Sequence, residues 1–426
     1  MSLDYLTQEN KELQLAVSEL TVLNDVATAI SSTQPVEKII DQIVLKCIKH
    51  LNVEEGTVSL HEPGSASSQF QTMIRRQDSS SEKVPIKLDS RLTGWMLKKQ
   101  TILLSNNIRE DDRFNFLDES SYSFRSILCA PLLVKGNLIG YLAVFNKKGG
   151  VEFSGQDKRL LSIIASQSAQ VIENARLYEE EKALLSLQEE LRLARDIQLN
   201  LLPDSTPQIP GVEIAATTIP AMSVGGDYYD FLDMRSSKIG FCVGDITGKG
   251  MPAAMLMANL QATLRSQVMS VDQCDKCLES TNKLLFRSTE STKFATLFLG
   301  VLNYENNILE FANGGHDAPL LFRSEGEPEL LNSTGLLLGV MEDSVYSKCE
   351  VTLGPGDLLL VYSDGITEAM DKKDEEFGLT RLIEMVKKNR EKSADDIMNA
   401  ILEKIKDHAD GHPQSDDITL ILIKKK

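Results

Sequence analysis

Apolar residues along this chain recur with two different periods, and the changes between them predict its elements. Between Pro35 and Leu51 they fall at helical spacing, which predicts an amphipathic helix. Short β-branched runs separated by turn residues predict strands at 57–60, 126–133 and 138–146. A second helix, ending near Tyr178, is predicted to begin at a capping box of Ser154 and Asp157. The order α-β-β-β-β-α is typical of a small α+β domain.

Two stretches flanking this domain show heptad spacing. In residues 1–30, leucines repeat at one heptad position and asparagines share the other, which predicts a helix with a narrow apolar seam. Such a helix forms a parallel dimer or packs on its own domain, and both alternatives remain open. Residues 177–203 are predicted to continue the helix that begins after Ser154. They repeat the heptad pattern, with apolar residues at Leu177, Leu184, Leu187, Leu191, Ala194 and Leu201. This linker is either a dimer stalk or a rigid signalling helix between two domains.

Pro203, Pro207 and Pro210 end helical structure, and strand-like runs follow. The predicted strands are 212–218, 228–232, 239–243, 295–302, 308–312, 319–322, 357–362 and 418–423. Predicted helices interrupt them in two pairs, at 252–267 with 273–287 and at 379–388 with 394–408. Strands in runs and helices in blocks indicate two antiparallel sheets covered by helices.

Composition narrows the function classes. The 426 residues are 42% hydrophobic and 25% charged, enough for two or three domains with proper cores. A net charge of −17, without a dense basic stretch before the last three lysines, argues against nonspecific binding to nucleic acid or to an anionic membrane. The N-terminus lacks the features of a signal peptide, and no apolar run approaches a spanning length, so we expect a cytoplasmic protein. Cys274 and Cys277 lack the second ligand pair of a zinc site and are interpreted as ordinary thiols.

Four short motifs in the C-terminal half carry the candidate chemistry. Each places an aspartate in a glycine-rich or acidic setting next to a predicted strand: Gly225-Gly226-Asp227, Gly244-Asp245-Ile246, Ser363-Asp364-Gly365 and Asp416-Asp417-Ile418. Hard divalent cations such as Mg²⁺ and Mn²⁺ prefer carboxylate, carbonyl and water oxygens. Carboxylates that converge at strand ends are what such a metal site requires. A hydrolytic phosphatase is therefore the leading interpretation.

The N-terminal domain resembles a GAF domain over roughly residues 22–178. The resemblance is carried by the run from Ile127 to Asn146, by Phe153-Ser154 with the helix after it, and upstream by Gly94-Trp95 and residues 108–114. It implies a sensor domain that binds a small-molecule or protein ligand, or else a scaffold without any ligand. No cysteine or histidine is placed for a chromophore or haem.

The C-terminal part, residues 195–426, resembles the SpoIIE-like branch of PPM metal-dependent serine/threonine phosphatases. The motifs that carry this resemblance are Arg195-Asp196-Ile197-Gln198 with Leu201-Leu202-Pro203, the run 223–231, the run 244–254, Ala312-Asn313-Gly314-Gly315-His316, the run 362–369, and Asp416-Asp417-Ile418-Thr419. The resemblance implies an αββα sandwich with a centre of two divalent cations, Mn²⁺ or Mg²⁺, at one edge.

Carried over by motif, the resemblance assigns the metal ligands. Asp245 bridges both cations, the carbonyl of Ile246 and the carboxylate of Asp227 bind one of them, and Asp364 and Asp416 hold the other, with Asp417 as a further candidate ligand. Asp227, Asp245, Asp364 and Asp416 are thus the expected catalytic residues. Two such cations lower the pKa of a bridging water and neutralise charge on the phosphoryl oxygens, so that this water attacks the phosphoryl group.

Two positions depart from the wider family. Thr247 stands where eukaryotic members have a histidine as candidate general acid, and the arginine that clamps the substrate phosphate in those members has no clear match. His316 is either a residue that orders its loop, the role we favour, or an acid catalyst.

The predicted organisation is an N-terminal helix at 1–30, a GAF-like domain at 22–178, a helical linker at 177–203 and a phosphatase domain at 204–426. We expect a dimeric, GAF-regulated serine/threonine phosphatase whose substrate, by resemblance, is a phosphorylated anti-anti-sigma (STAS) protein in a partner-switching pathway. The linker is expected to set the arrangement of the aspartate-bearing loops. Alternatives are a pseudophosphatase that senses a signal and only binds a partner, and a hydrolase of small phosphomonoesters.

Overall fold

The computed structural model of the chain describes residues 34–61, 70–76, 90–114, 124–234, 237–289 and 292–426, together with isolated positions between 9 and 21. It divides into two compact units, Met1–Ser186 and Leu187–Lys426. The helix predicted for residues 1–30 lies for most of its length outside the described residues. Among the described residues, no helix is both long enough and apolar enough to cross a membrane.

The first unit is built on one antiparallel sheet. Its helices are α1 (Val36–Leu51), α2 (Ser90–Lys99) and α3 (Gly155–Leu199), and its strands are β1 (Val53–His61), β2 (Phe70–Arg76), β3 (Leu103–Ser105), β4 (Ile127–Val134) and β5 (Asn137–Lys147). The residues of α3 from Leu187 onward belong to the second unit. The sheet order is β2-β1-β5-β4-β3. Strands β4 and β5 form the predicted hairpin, and Lys135 and Gly136 turn it with φ of 50° and 86°.

Apolar residues of α1 and of the first turns of α3 make the core over one face of this sheet. Ile39, Ile43 and Cys47 on α1 are buried in the same cluster as Leu161 and Ile164 on α3. Because these residues recur every three or four positions, each helix buries one stripe against the sheet. A smaller cluster that includes Met96, Phe114 and Tyr141 forms a second core in this unit.

Helix α3 spans 45 residues and changes character along its length. It begins at the predicted capping box, in which the Asp157 amide donates to Ser154 Oγ (3.3 Å) and the Ser154 amide to Asp157 Oδ2 (2.8 Å). Its first part is buried as far as Ala175, whereas Leu177, Leu184 and Leu187 are about half exposed or more.

The second unit contains two five-stranded antiparallel sheets. Its strands are β6 (Val212–Ile219), β7 (Tyr228–Asp233), β8 (Lys238–Ile246), β9 (Ala295–Asn303), β10 (Ile308–Gly314), β11 (Leu320–Phe322), β12 (Glu329–Leu330), β13 (Cys349–Thr352), β14 (Leu358–Tyr362) and β15 (Ile418–Lys425). The sheet orders are β13-β10-β9-β8-β7 and β12-β11-β14-β15-β6. Its helices are α4 (Met251–Val268), α5 (Cys274–Ser288), α6 (Gly378–Asn389) and α7 (Ala394–Ala409).

Three apolar layers hold this unit together. Phe241 and Phe298 of one sheet pack with Leu359 and Ile421 of the other between the two sheets. Helices α4 and α5 cover the outer face of the first sheet, and α6 and α7 cover the outer face of the second. This α-β-β-α order confirms the predicted sandwich. Strands β12 and β13 were missed because they are short and largely exposed.

Cys274 and Cys277 are free, buried thiols at the start of α5. Burial raises the pKa of each thiol to about 12, which keeps both protonated near neutral pH. Their environment agrees with the interpretation of ordinary core thiols.

Candidate active site

The four aspartates stand at one edge of the sandwich because of the strand order. Asp227 precedes β7, and Asp245 lies near the end of the neighbouring strand β8, where Tyr228 pairs with Gly244. Asp364 follows β14 and Asp416 precedes β15, and these two strands are also antiparallel neighbours. Strand β15 contacts β7 and β8 of the facing sheet. The fold therefore brings to one edge residues that are far apart in sequence.

Burial and mutual repulsion dominate the electrostatics of this edge. Burial, followed by the charges of Asp364 and Asp416, raises the pKa of Asp245 to about 6. The pKa of Asp364 is raised by burial and then by Asp416. Burial and the charge of Asp245 raise the pKa of Asp227, which is only 5% exposed. Because these carboxylates disfavour one another's ionisation, a positive charge bound at this edge would stabilise their ionised forms.

One side-chain oxygen of Asp227 gives more specific evidence for cation binding. Its Oδ2 atom is buried and has no hydrogen-bond partner. A buried carboxylate oxygen without a partner costs free energy, so native proteins rarely leave one without a function. The observation fits a cation-binding role for this oxygen.

The carbonyl of Ile246 lies against the loop that carries Asp227. A Cβ atom added to Gly226 would come within 3.1 Å of Ile246 O and 3.3 Å of the Ala253 side chain. Glycine at this position therefore lets the loop approach the end of β8 closely. A carbonyl and a carboxylate oxygen are suitable ligands for one hard cation.

Asp417 is placed differently from the other aspartates. Its Oδ1 accepts the amide of Ala221 (2.7 Å), and its Oδ2 accepts the amides of Gly226 (2.6 Å) and Asp227 (3.2 Å). A Cβ atom on Gly225 would lie 2.4 Å from Asp417 Oδ2. Both oxygens thus tie the start of β15 to the loop before β7, across the two sheets.

His316 is a buried neutral residue behind Asp245. Its Nδ1 forms a hydrogen bond with Thr296 Oγ1 (2.8 Å), and Thr296 Oγ1 accepts the amide of Asp245 (3.2 Å). Burial lowers the pKa of His316 to about 4. The His316 amide donates to Asn313 Oδ1 (2.8 Å), and Asn313 Nδ2 donates to the His316 carbonyl (3.0 Å). These contacts order the loop and support β8 at Asp245.

Three interactions near the site did not emerge from sequence reasoning. Gln198, near the end of α3, holds both backbone groups of Gly225: its Nε2 donates to the carbonyl (2.6 Å) and its Oε1 accepts the amide (3.1 Å). Arg265 on α4 forms a bidentate pair with buried Asp230 (2.7 and 3.1 Å). Lys249 contacts Asp416 (2.9 Å). All of these residues except Arg265 stood inside the quoted motifs, so their position was visible but their partners were not.

Among the described residues, no three acidic, histidine or cysteine side chains already form a closed metal-binding cluster. The residue types nevertheless fit a pair of hard cations. Asp227 Oδ2 has no partner, and the loop at Gly226 approaches the Ile246 carbonyl closely. The site also gathers four carboxylates, those of Asp227, Asp245, Asp364 and Asp416.

Comparisons with known proteins agree with this geometry. The family described as Stage II sporulation protein E (SpoIIE) matches residues 235–426, and the GAF domain family matches residues 35–172. A segment similar to GAF domains thus precedes a segment similar to SpoIIE. The SpoIIE-type domain is similar to the SiaA-PP2C domain of Pseudomonas aeruginosa, with 23% identity, a TM-score of 0.52, and coverage of 57% of this chain and 99% of that one. This likeness shows a PP2C-type fold.

Two relatives were found by sequence. Protein IcfG of Synechocystis sp. is 31% identical over 261 residues, which cover 55% of this chain and 41% of IcfG. Phosphoserine phosphatase RsbU of Bacillus subtilis is 28% identical over 257 residues, which cover 58% of this chain and 75% of RsbU. The chain thus spans less than half the length of IcfG and three quarters of RsbU.

Proposed function

We propose that this chain is a metal-dependent protein serine/threonine phosphatase regulated by its GAF domain. The observation that carries the proposal is the edge where burial and neighbouring carboxylates raise the pKa of Asp227, Asp245 and Asp364, while Asp227 Oδ2 lacks a partner. The similarity to RsbU, which is named a phosphoserine phosphatase, and the PP2C-type fold support it.

Two divalent cations, Mn²⁺ or Mg²⁺, are the proposed cofactors. Asp245 would be shared between them, Asp227 and the Ile246 carbonyl would complete one site, and Asp364 with Asp416 would form the other. When bound, such a pair activates a water molecule and neutralises charge on the phosphoryl oxygens. The raised pKa of Asp245 means that a cation must also compete with protons near pH 6.

The remaining residues of the site hold these ligands in place. We assign Asp417 to the loop before β7, because three backbone amides already occupy its oxygens. His316 supports β8 through Thr296, and its neutral, buried ring suits that positioning role better than proton donation. Thr247 Oγ1 donates to the Phe294 carbonyl (3.1 Å), so its hydroxyl anchors the following loop.

For the substrate we propose a phosphorylated STAS-type anti-anti-sigma protein in a partner-switching pathway. Support comes from the similarity to RsbU and to phosphoserine phosphatase RsbP of Bacillus subtilis, which is 23% identical over 246 residues. Competition between a phosphorylated STAS protein and p-nitrophenyl phosphate separates this substrate from small phosphomonoesters. A protein substrate should inhibit the small-ester reaction at far lower concentration than phosphoserine does.

The decisive experiment measures hydrolysis of p-nitrophenyl phosphate with Mn²⁺, with and without a chelator. We compare the native chain, Asp245→Asn and the charge-matched control Asp233→Asn, which changes an exposed residue at the far end of β7. Activity should require both the metal and Asp245 and should survive in the control. A native chain that neither hydrolyses the ester nor binds Mn²⁺ by calorimetry would favour the alternative of a partner-binding pseudophosphatase.

A further inference from the structure

Lys249 places a positive charge on one of the proposed metal ligands. Its Nζ lies 2.9 Å from Asp416 Oδ2 and donates to the carbonyl of Ser415 at 2.5 Å. The Lys249 side chain is 50% exposed and that of Asp416 is 33% exposed. This lysine belongs to the loop that leaves β8 directly after Asp245 and Ile246. The ion pair thus links the loop after Asp245 and Ile246, which are proposed ligands, to Asp416, a proposed ligand before β15.

The loop that carries Lys249 has a fixed base and an adaptable tip. At the base, the Thr247 amide donates to the Phe294 carbonyl (3.1 Å), and the Thr247 hydroxyl donates to the same oxygen. At the tip, Gly248 and Gly250 flank Lys249 with φ of 96° and 71°. Glycines tolerate such backbone angles and their alternatives at little cost. Lys249 can therefore leave Asp416 while Thr247 stays in place.

A divalent cation and the Lys249 ammonium would compete for Asp416 Oδ2, because Asp416 Oδ1 already accepts the amide of Asp417 (2.9 Å). Their like charges also repel at short distance. A cation held by Asp364 and Asp416 would therefore displace Lys249. The displaced ammonium would stay on the loop after β8, at the edge where these carboxylates gather and where a negatively charged phosphoryl group would bind. Among the described residues, Lys249 is the basic side chain that forms an ion pair with these aspartates.

Building on the phosphatase function proposed above, we propose that Lys249 is the phosphate-binding cation of this site, and that it rests on Asp416 until a divalent cation displaces it. The pair keeps Asp416 neutralised in the metal-free protein. After displacement, the ammonium binds the phosphoryl oxygens of the substrate, where charge-assisted hydrogen bonds are strong.

The first test follows the reactivity of the Lys249 amine in the full-length protein. The chain is treated with an amine-acylating reagent, and mass spectrometry quantifies the modification of each lysine. Breaking an exposed ion pair should raise Lys249 labelling by about two- to fivefold when Mn²⁺ is added. Inorganic phosphate added together with Mn²⁺ should reduce it again. Lys276, an exposed lysine paired with Glu279 on α5, serves as the internal control and should not change.

The second test compares Lys249→Gln with Lys293→Gln. Lys293 Nζ lies 3.4 Å from where a Cβ of Gly248 would stand. This control therefore removes a nearby charge that forms no ion pair with an aspartate within the part of the chain that the structure describes. Lys249→Gln should bind Mn²⁺ about two- to fivefold more tightly by calorimetry. It should also raise the KM for a phosphorylated substrate about 10- to 100-fold. Lys293→Gln should change both quantities less than about twofold.

The outcomes separate this inference from the proposed function. If the native chain binds Mn²⁺ but the labelling of Lys249 does not change, the proposal that the cation displaces Lys249 from Asp416 is wrong. A Lys249→Gln variant whose KM stays within about twofold of the native value, in a chain that is active, overturns phosphate binding alone. A native chain that neither binds Mn²⁺ nor hydrolyses phosphoesters removes the proposed function and this role of Lys249 together.

Discussion

At the scale of single residues, the position of Asp245 lowers the free energy of unfolding of the metal-free chain but suits the binding of a cation. Burial and the charges of Asp364 and Asp416 raise its pKa to about 6, above the value near 4 of an unfolded chain. Between these values the folded state binds more protons than the unfolded state, so the free energy of unfolding falls as pH rises from about 4 to about 6. Without a cation, the ionised Asp245 therefore destabilises the fold at neutral pH.

Asp245→Asn should accordingly stabilise the metal-free chain while abolishing the proposed phosphatase activity. Allowing for partial exposure, we expect a gain of about 1–3 kcal/mol at pH 7, which is about 2–10 °C in the melting temperature of this unit. The gain should vanish below about pH 4, where the native carboxyl is also neutral. Calorimetry in a chelator at both pH values measures it. An equal gain from Asp233→Asn would show that removal of any negative charge, rather than relief at this site, is responsible.

The sequence motifs predicted which aspartates gather at one edge but could not distinguish the role of Asp417. Its three amide donors lie 190 to 196 positions away in sequence. A backbone amide carries no residue-specific signal, so a carboxylate that caps a distant loop looks like a ligand in the sequence. The ion pair of Lys249 could not be predicted either, because its partner Asp416 lies 167 positions later in the sequence (416 − 249 = 167).

At the scale of elements, the end of α3 controls the loop that carries Asp227. Gln198→Ala removes both hydrogen bonds to Gly225 and leaves its buried amide and carbonyl unsatisfied. We expect a loss of about 2–4 kcal/mol in the free energy of unfolding and weaker Mn²⁺ binding, because Asp227 follows two residues later. Denaturant titration and calorimetry measure these effects. Gln170→Ala, which removes an exposed hydrogen bond to Asn174 on the same helix, should leave both quantities nearly unchanged.

Helix α4 is attached to β7 by the pair of Arg265 with Asp230. Asp230 is fully buried and also accepts the Tyr228 hydroxyl (2.7 Å), whereas the Arg265 side chain is 48% exposed. Arg265→Ala should cost about 2–4 kcal/mol, because it leaves a buried carboxylate without its countercharge. Arg287→Ala breaks an exposed pair with Glu342 and should cost less than about 1 kcal/mol. Denaturant titration compares the two, and equal costs would contradict the importance of burial at Asp230.

Periodicity predicted most elements of the SpoIIE-type domain, because long apolar strands and amphipathic helices carry strong local patterns. It failed for β12 and β13, whose two and four residues are mostly exposed and pair only at sheet edges. The prediction that the linker continues the helix after Ser154 is confirmed, because α3 is one helix through residue 199. After Ala175 the buried apolar stripe of this helix gives way to an exposed one.

At the scale of the whole molecule, that exposed stripe predicts how two copies associate. Leu177, Leu184 and Leu187 share one seam of α3 and are each more than 50% exposed in the single chain. Leu185 is 58% exposed but stands one position off this seam. A coiled-coil dimer buries residues at the two seam positions of the heptad and leaves the others in solvent. We therefore propose a homodimer through this part of α3.

The double variant Leu184→Asp with Leu187→Asp should convert the dimer to monomer at micromolar concentration, because buried carboxylates facing one another across the seam are strongly unfavourable. Leu185→Asp adds the same charge off the seam and should remain dimeric. Sedimentation velocity distinguishes the two states, and p-nitrophenyl phosphate hydrolysis on the same samples tests whether the pairing of α3 sets the activity.

Since Gln198 near the end of this helix holds the loop of Asp227, a change in pairing should alter turnover or the Mn²⁺ requirement. Deletion of residues 1–185 should do the same. A monomeric variant with native turnover and native Mn²⁺ requirement would show that α3 joins the two domains without regulating the site.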